Sequence, residues 1–217
     1  VVLVSFPGAQ KKARLAQGLQ FSDSLRASLQ ADMVAWWTFD ETSGAVAKDN
    51  YFNQLHGTVY GGATFIKGII NNALSFDGND YMIVANNASL YPTNEMTLSA
   101  WVKTSSSAQQ GIMQKGSNCM VHPDKFLYYS GTHLILRSFS PDPLYYIPST
   151  AIVLHDGSWH HIAVTAIDGA TPRFYMDGKN ISNSSAIYHK TNSTGHDLSV
   201  GVLKWNCNDT LSDFFNG

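Results

Sequence analysis

The chain has 217 residues, 44% of them apolar and 12% aromatic, with 14% charged residues and a formal charge of −2. That length and apolar content suffice for one substantial core, whereas the near-neutral balance lacks the basic face that nucleic-acid binding needs. No apolar run reaches the roughly 18 residues that cross a bilayer. Cys119 and Cys207 are the only cysteines, and their separation leaves both a disulfide and two buried free thiols open.

The chain begins Val1-Val2-Leu3-Val4, then Ser5-Phe6-Pro7-Gly8 and a basic cluster of Lys11, Lys12 and Arg14. An apolar start followed by positive charge is the pattern at the exit of a membrane helix, so the membrane is expected to be met only through a missing upstream segment. Ala9 to Ala31 is free of Pro and rich in Ala, Leu, Gln, Lys and Arg, which predicts one helix. Leu15 with Leu19 and Leu25 with Leu29 form i,i+4 pairs, Phe21 lies beside the second, and Gly18 is the weak point between them. Because Leu29 is so close to Asp32, the later turns are expected to pack on the sheet beginning at Met33. Two leucines buried there contribute about 3–6 kcal/mol. Val1 to about Arg14 is expected to find no partner within the chain.

From Met33 to Glu41 the sequence is too aromatic and β-branched to continue a helix. A polar loop at Lys48 to Gly57 leads to a strand at Thr58 to Tyr60. Leu74 to Val84 predicts two strands about a tight Asp-Gly and Asn-Asp turn. In Met96 to Lys103, Met96, Leu98, Ala100 and Val102 share one face and Trp101 falls on the other. Strands follow at Gly111 to Gly116, Phe126 to Tyr129, His133 to Phe139 and Leu144 to Ile147. Trp159 to Lys179 is read as a hairpin of two alternating runs joined at Asp168-Gly169-Ala170 and ending at Asp177-Gly178. Ile181 to Asp197, the most polar stretch, is expected to be a long exposed loop with a short strand inside it. Many short strands with Gly, Asn and Asp turns and no βαβ spacing predict a mainly β, antiparallel two-sheet sandwich with one N-terminal α-helix.

The phrases W-W-T-F-D-E-T-S-G, H-G-T-V, A-L-S-F-D-G-N-D-Y-M-I-V, M-T-L-S-A-W-V-K, D-G-S-W-H-H-I-A-V-T and F-Y-M-D-G-K occur in that order. They resemble the laminin G-like group of the concanavalin A-like lectin and glucanase superfamily over residues 33 to 217. The resemblance implies a jelly roll of two curved antiparallel sheets. It also implies that Asp213-Phe214-Phe215-Asn216-Gly217 approaches a closing strand that is missing, leaving an open edge and part of the inner face exposed. The first 31 residues are similar to the N-terminal helix of type IV pilins and pseudopilins, with its membrane-proximal part truncated. That likeness implies self-assembly through the helix. The chain thus divides into 1–31, a pilin-like helix, and 32–217, the sandwich.

Polysaccharide hydrolysis needs an acid and a second carboxylate flanking the bond. No E-x-D-x-x-E spacing is present; Asp40 and Glu41 are adjacent, and Glu95 stands alone. His160 and His161 are neighbours on one strand and so cannot readily share a ligand; one is expected to be partly buried and the other a rim residue. No enzymatic activity is therefore expected. The laminin G resemblance implies a structural calcium in many relatives, and Asp49, Asn50, Asn53, Asp77, Asn79 and Asp80 are the candidate oxygen ligands, with simple turn formation as the alternative. Tyr128, Tyr129, Tyr145, Tyr146, Trp159 and Trp205 are the candidate sugar-stacking aromatics. Two functions follow from the resemblances: a glycan- or protein-binding adhesive module displayed at the surface of a prokaryotic cell or on a filament, and a structural filament subunit that binds no ligand. Asn87, Asn183, Asn192 and Asn208 sit in N-x-S/T patterns that a Ser/Asn-rich chain produces by chance.

Overall fold

A computed structural model describes residues 8–91, 94–116, 125–139, 143–146, 151–182, 185–189, 195–205 and 210–217. Cys119, Cys207, residues 1–7 and three of the N-x-S/T asparagines, Asn183, Asn192 and Asn208, lie outside them.

Helix α1 spans Ala9–Leu29, close to its predicted extent. The strands are β1 (Val46–Ala47), β2 (Gly57–Tyr60), β3 (Thr64–Lys67), β4 (Asn72–Ser75), β5 (Tyr81–Val84), β6 (Glu95–Val102), β7 (Gln110–Lys115), β8 (Lys125–Ser130), β9 (His133–Phe139), β10 (Pro143–Tyr146), β11 (His160–Ile167), β12 (Arg173–Met176), β13 (Lys179–Asn180), β14 (Leu198–Val200), β15 (Leu203–Trp205) and β16 (Thr210–Ser212). An eight-stranded antiparallel sheet in the order β1-β2-β5-β14-β7-β8-β9-β10 faces a four-stranded one in the order β13-β12-β11-β6. Alternation sends Ile162, Val164 and Ala166 of β11 and Phe174 of β12 inward to meet Met82, Val84, Leu127, Tyr129, Leu134 and Leu136 of the larger sheet. The predicted hairpin is present, with Ile162 opposite Met176 and Thr165 opposite Arg173. Its far end turns at Asp177 (φ 49°) and Gly178 (φ 77°), the two positive-φ positions of a type I′ turn.

Three expectations are corrected. Met33 to Glu41 is not a strand: its only pairing in the described structure is one bridge, Trp37 to Asp49, and Phe39 at φ 57° breaks the extended run. The strands of Leu74 to Val84 do not pair with each other. Instead β4 pairs with β3, while β5 enters the large sheet between β2 and β14. The intervening residues are occupied elsewhere, because Phe76 exchanges both backbone hydrogen bonds with Gly217, at 2.9 and 3.0 Å, and Asp77 bridges Asn216. Phe215 is buried in the core beside Phe76, so residues 213–217 pack on the sandwich. The polar stretch after Ile181 is likewise not wholly exposed: Tyr188 is 1% accessible and its backbone is bonded to Gly169 and Ala170.

The outer face of each sheet is also covered in part. On the large sheet, Gln114 acts as a substitute strand, its Nε2 donating to Lys204 O and its Oε1 accepting from Lys204 N, which holds β15 across the sheet. Tyr128, Ile135 and Leu203 form a small second core beneath β15. On the small sheet, α1 covers Trp101, His161 and Tyr175. The helix therefore docks mainly on β6, β11 and β12, and only its last turn reaches the segment after Met33, through Trp36.

Gly18, expected to be the weak point, is the one buried residue of α1. A Cβ there would lie 2.9 Å from Trp101 Cη2 and 3.6 Å from His161 Cβ. Phe21 stacks on Tyr175 at 5.3 Å and meets His161 edge-on at 5.6 Å. Leu15, Leu19, Leu25 and Leu29 are only half-buried, so each contributes about half of a full leucine burial, about 1 kcal/mol; the Phe21 ring contacts add about another 1 kcal/mol. The end of the helix is tied down by Arg26 over the Trp36 ring at 5.1 Å and by the Tyr51 hydroxyl donating to Gln30 O. Gly18→Leu is expected to lose about 1–3 kcal/mol from overpacking, despite the better helix propensity of leucine. Hydrogen exchange should then become fast across α1, and unchanged exchange with an unchanged melting temperature would refute the close contact.

Candidate functional site

Where α1 crosses the end of the small sheet, one carboxylate joins three elements. Asp177 sits at the first position of its turn, so its side chain folds back over β11. Its Oδ1 accepts from His161 N at 2.9 Å and its Oδ2 from His160 Nδ1 at 2.8 Å. His160 is fully buried, and its Nε2 donates to Asp156 Oδ1 at 3.1 Å. Asp156 also accepts from Ser158 N at 2.7 Å and from Arg14 of α1 at 3.3 Å. The Arg14 Nε is 3.9 Å from Asp177. With an acceptor on each ring nitrogen, His160 is suited to the doubly protonated form.

The two histidines titrate in opposite senses. Burial disfavours charge on His160, but hydrogen bonds and attraction from Asp177 and Asp156 win, and its pKa is raised. His161 is held down to about 4 by burial, against the attraction of Asp177, and its Nδ1 is buried without a hydrogen-bond partner. Burial acts to raise the Asp156 pKa, but His160 and Ser158 outweigh it and bring Asp156 down to about 2. Neither histidine is the rim residue expected from the sequence: His161 is 2% accessible, beneath α1.

By linkage, the His160 contribution is complete below the unfolded histidine pKa, near 6.5, and fades as pH rises through its raised value. The His161 contribution is complete above about 6.5 and is lost as pH falls toward 4. Asp156 loses its contribution only as pH falls from its unfolded value toward 2. Between pH 6.5 and 4 the change is therefore dominated by His161, and stability should fall by about 3 kcal/mol. His161→Phe should flatten that limb of a urea-unfolding series.

Beside this network lies a half-open crevice of about 180 Å³. Lys11, Arg14 and Leu15 of α1 form one wall; Lys103, Ile69 and the turn Gly157-Ser158-Trp159 form the rest. The turn is fixed by Gly157 at φ 70°, whose N–H donates to Thr104 O at 3.0 Å, and by Ser158 N on Asp156. Helical spacing aligns Lys11, Arg14 and Leu15. The crevice thus exists only while the helix is docked, and its Trp159 precedes the buried His160 directly.

Trp159 is half-buried on the crevice wall. Tyr128 and Tyr129 are 4% and 0% accessible, the first beneath β15 and the second in the main core with its hydroxyl on His155 Nδ1; neither offers a ring face to a sugar, a correction to their candidacy. The side chains of Tyr145, Tyr146 and Trp205 lie outside the described residues. Sequence reasoning missed Lys11, Arg14 and Lys103, having assigned the first two to a membrane exit. It also missed Tyr60, which stacks on Tyr81 at 5.1 Å, with Phe214 tilted 6.2 Å from Tyr81.

The candidate calcium ligands are engaged by hydrogen bonds within the chain. Asp49 is fully buried, and its oxygens accept four backbone N–H groups, from Trp36 and Tyr51 and from Gln54 and Leu55. Burial works to raise its pKa, but the four donors prevail and hold it below the usual value. Asn50 donates to Thr38, and Asn53 makes a turn at φ 58°. In the second set, Asp80 Oδ2 accepts from Asp77 N, and Asp77 Oδ1 accepts from Asn79 N. The Asn79 amide nitrogen, suitably oriented, reaches Asp77 and Asp80 as well. Among the described residues no group of three or more His, Cys, Asp or Glu is placed to hold a metal ion. Asp49→Ala would leave up to four N–H groups without an acceptor and should cost about 3 kcal/mol in urea unfolding, equally in EDTA and in calcium.

This architecture is that of a concanavalin A-like sandwich. Residues 76–217 match the laminin G family described as concanavalin A-like lectin/glucanases superfamily, and the chain belongs to that family. No curated protein matches the chain. Among solved structures, the binding domain of paraclostridial mosquitocidal protein 1 is similar with a TM-score of 0.61 at 14% identity, over 83% of this chain and 44% of that one. Domain 4 of AbnA, an extracellular arabinanase of family GH43 from Geobacillus stearothermophilus, in complex with arabinotriose, is similar with a TM-score of 0.61 at 16% identity, over 84% and 88%. Botulinum neurotoxin type C, whose cell entry depends on two ganglioside molecules, has a TM-score of 0.56 at 11% identity, over 74% and 41%. The chain therefore spans less than half of the first and third of these structures. At such identities the likeness concerns the fold. The pilin resemblance of the first 31 residues finds no support in these matches; the family region begins beyond α1. No helix of the described residues is long and apolar enough to cross a membrane.

Proposed function

We propose that this chain is a non-catalytic carbohydrate-binding module acting outside the cell, with Trp159 as the ring on which a sugar stacks. The observation that carries this reading is the position of Trp159 on a half-open crevice whose other walls combine the apolar Leu15 and Ile69 with polar and cationic side chains. A pyranose presents an apolar face to an aromatic ring and hydroxyls to the polar walls. The arabinanase domain with arabinotriose and the ganglioside-dependent neurotoxin make sugar ligation a natural use of this fold. Hydrolysis is not part of the proposal, because the acidic groups nearest the crevice, Asp156 and Asp177, are both engaged by His160 and Arg14. Nor is filament assembly through α1: its apolar side chains are half-buried and its small buried residue, Gly18, is already used on the sandwich.

A glycan array followed by calorimetric titration tests the reading. Trp159→Ala should weaken binding of the best glycan by about ten-fold or more, the loss of one good stacking contact, with little change in melting temperature. Wild-type affinity in Trp159→Ala would move the site elsewhere. Failure of the folded protein to bind any glycan would favour a structural, ligand-free module.

A further inference from the structure

We infer that the crevice selects acidic saccharides, chains carrying carboxylate or sulfate groups, over neutral ones. The inference rests on the reading of Trp159 as the sugar-stacking ring and adds its charge preference. Three cationic side chains, Lys11, Arg14 and Lys103, line the crevice, and no acidic side chain does. This occurs on a chain of net charge −2, so the local excess runs against the whole.

The three cations differ in how far they are already engaged. Arg14 is held by Asp156 at 3.3 Å and lies 3.9 Å from Asp177. Those carboxylates are in turn hydrogen-bonded to the two ring nitrogens of His160, so both point into the network and neither lines the crevice. Lys11 and Lys103 are exposed, on the helix wall and at the end of β6, and neither has an ion pair among the described residues. Two uncommitted ammonium groups from separate elements, together with a half-buried indole, suit a ligand that is apolar on one ring face and anionic at its edge. A uronate residue and a sulfated hexose share that chemistry. A neutral sugar would use the indole and leave both ammonium groups without a partner.

The test is titration of the whole chain with three probes of matched length: an oligogalacturonate, its neutral methyl ester, and a sulfated galactan oligomer. A charge-assisted contact is worth about ten-fold, so one or both anionic probes should bind about ten-fold tighter than the ester at low salt. That advantage should shrink several-fold at high ionic strength. Lys11→Gln and Lys103→Gln should each reduce the anionic-to-neutral ratio several-fold, and the double variant should bring it close to one. Lys12→Gln, on a neighbouring exposed position that does not line the crevice, should leave the ratio unchanged. Preference for one anionic probe identifies carboxylate or sulfate as the group recognised. Equal, Trp159-dependent binding of the ester and both acids would overturn the charge preference and leave the sugar reading standing. An equal loss in Lys12→Gln would overturn it as unspecific attraction, and no binding of any probe would remove both.

Discussion

The Asp177 carboxylate is the constraint on which the upper part of the molecule depends. It closes the β12–β13 turn onto β11, accepts from the backbone of His161 and the ring of the preceding His160, and sits within reach of an arginine from the helix. A buried carboxylate tied to a buried imidazole ring is costly to desolvate, and such a pair stabilises only if its remaining lone pairs and protons are used. Here they are, since Asp156 takes the second ring nitrogen and Arg14 the outer oxygen. The helix is thereby set at a definite height over the sheet, and the close approach at Gly18 can follow. The crevice is a by-product of this arrangement: its helix wall and its Gly157-Ser158-Trp159 wall belong to elements that the network joins.

The same network explains why two adjacent histidines behave unlike each other. Strand geometry sends their rings to opposite faces. His160 goes toward two carboxylates, whereas His161 goes under Phe21 and Trp101, where no hydrogen-bond partner meets its Nδ1. Identity of side chain therefore predicts little, and the partners on each face decide the charge.

Much of the sandwich was legible because period-two alternation is a strong signal. The inward faces of Met96 to Val102 and of the Trp159 to Lys179 hairpin lie where the pattern put them. What misled was composition without a partner. Met33 to Glu41 reads as a strand by residue type, yet the Asp49 carboxylate takes the Trp36 N–H and Phe39 turns away. The acidic loops could not be resolved from sequence, because oxygen-rich sequence looks the same whether its oxygens meet a metal or, as those of Asp49 do, the chain's own N–H groups. Gly18 read as a defect because helix propensity is local, while its use, admitting Trp101, depends on a residue more than eighty positions away. The crevice could not be read at all, since its lysines and its tryptophan come from three separated segments. Only the spacing of Lys11, Arg14 and Leu15 hinted at a shared face.

The pairing of Phe76 with Gly217 has a consequence for how such a chain is made. The two-way hydrogen bond and the Phe76–Phe215 contact join segments separated by most of the sandwich sequence, and Gln110 reaches the same late segment by accepting from Asn216 N. Contacts of such long sequence separation form late and slowly. During synthesis, β4 to β14 leave the ribosome with part of their inner face still lacking a partner. Until residues 213–217 arrive, Phe76 lacks both its backbone partner and the ring that packs beside it, the kind of apolar seam that holdase chaperones cover.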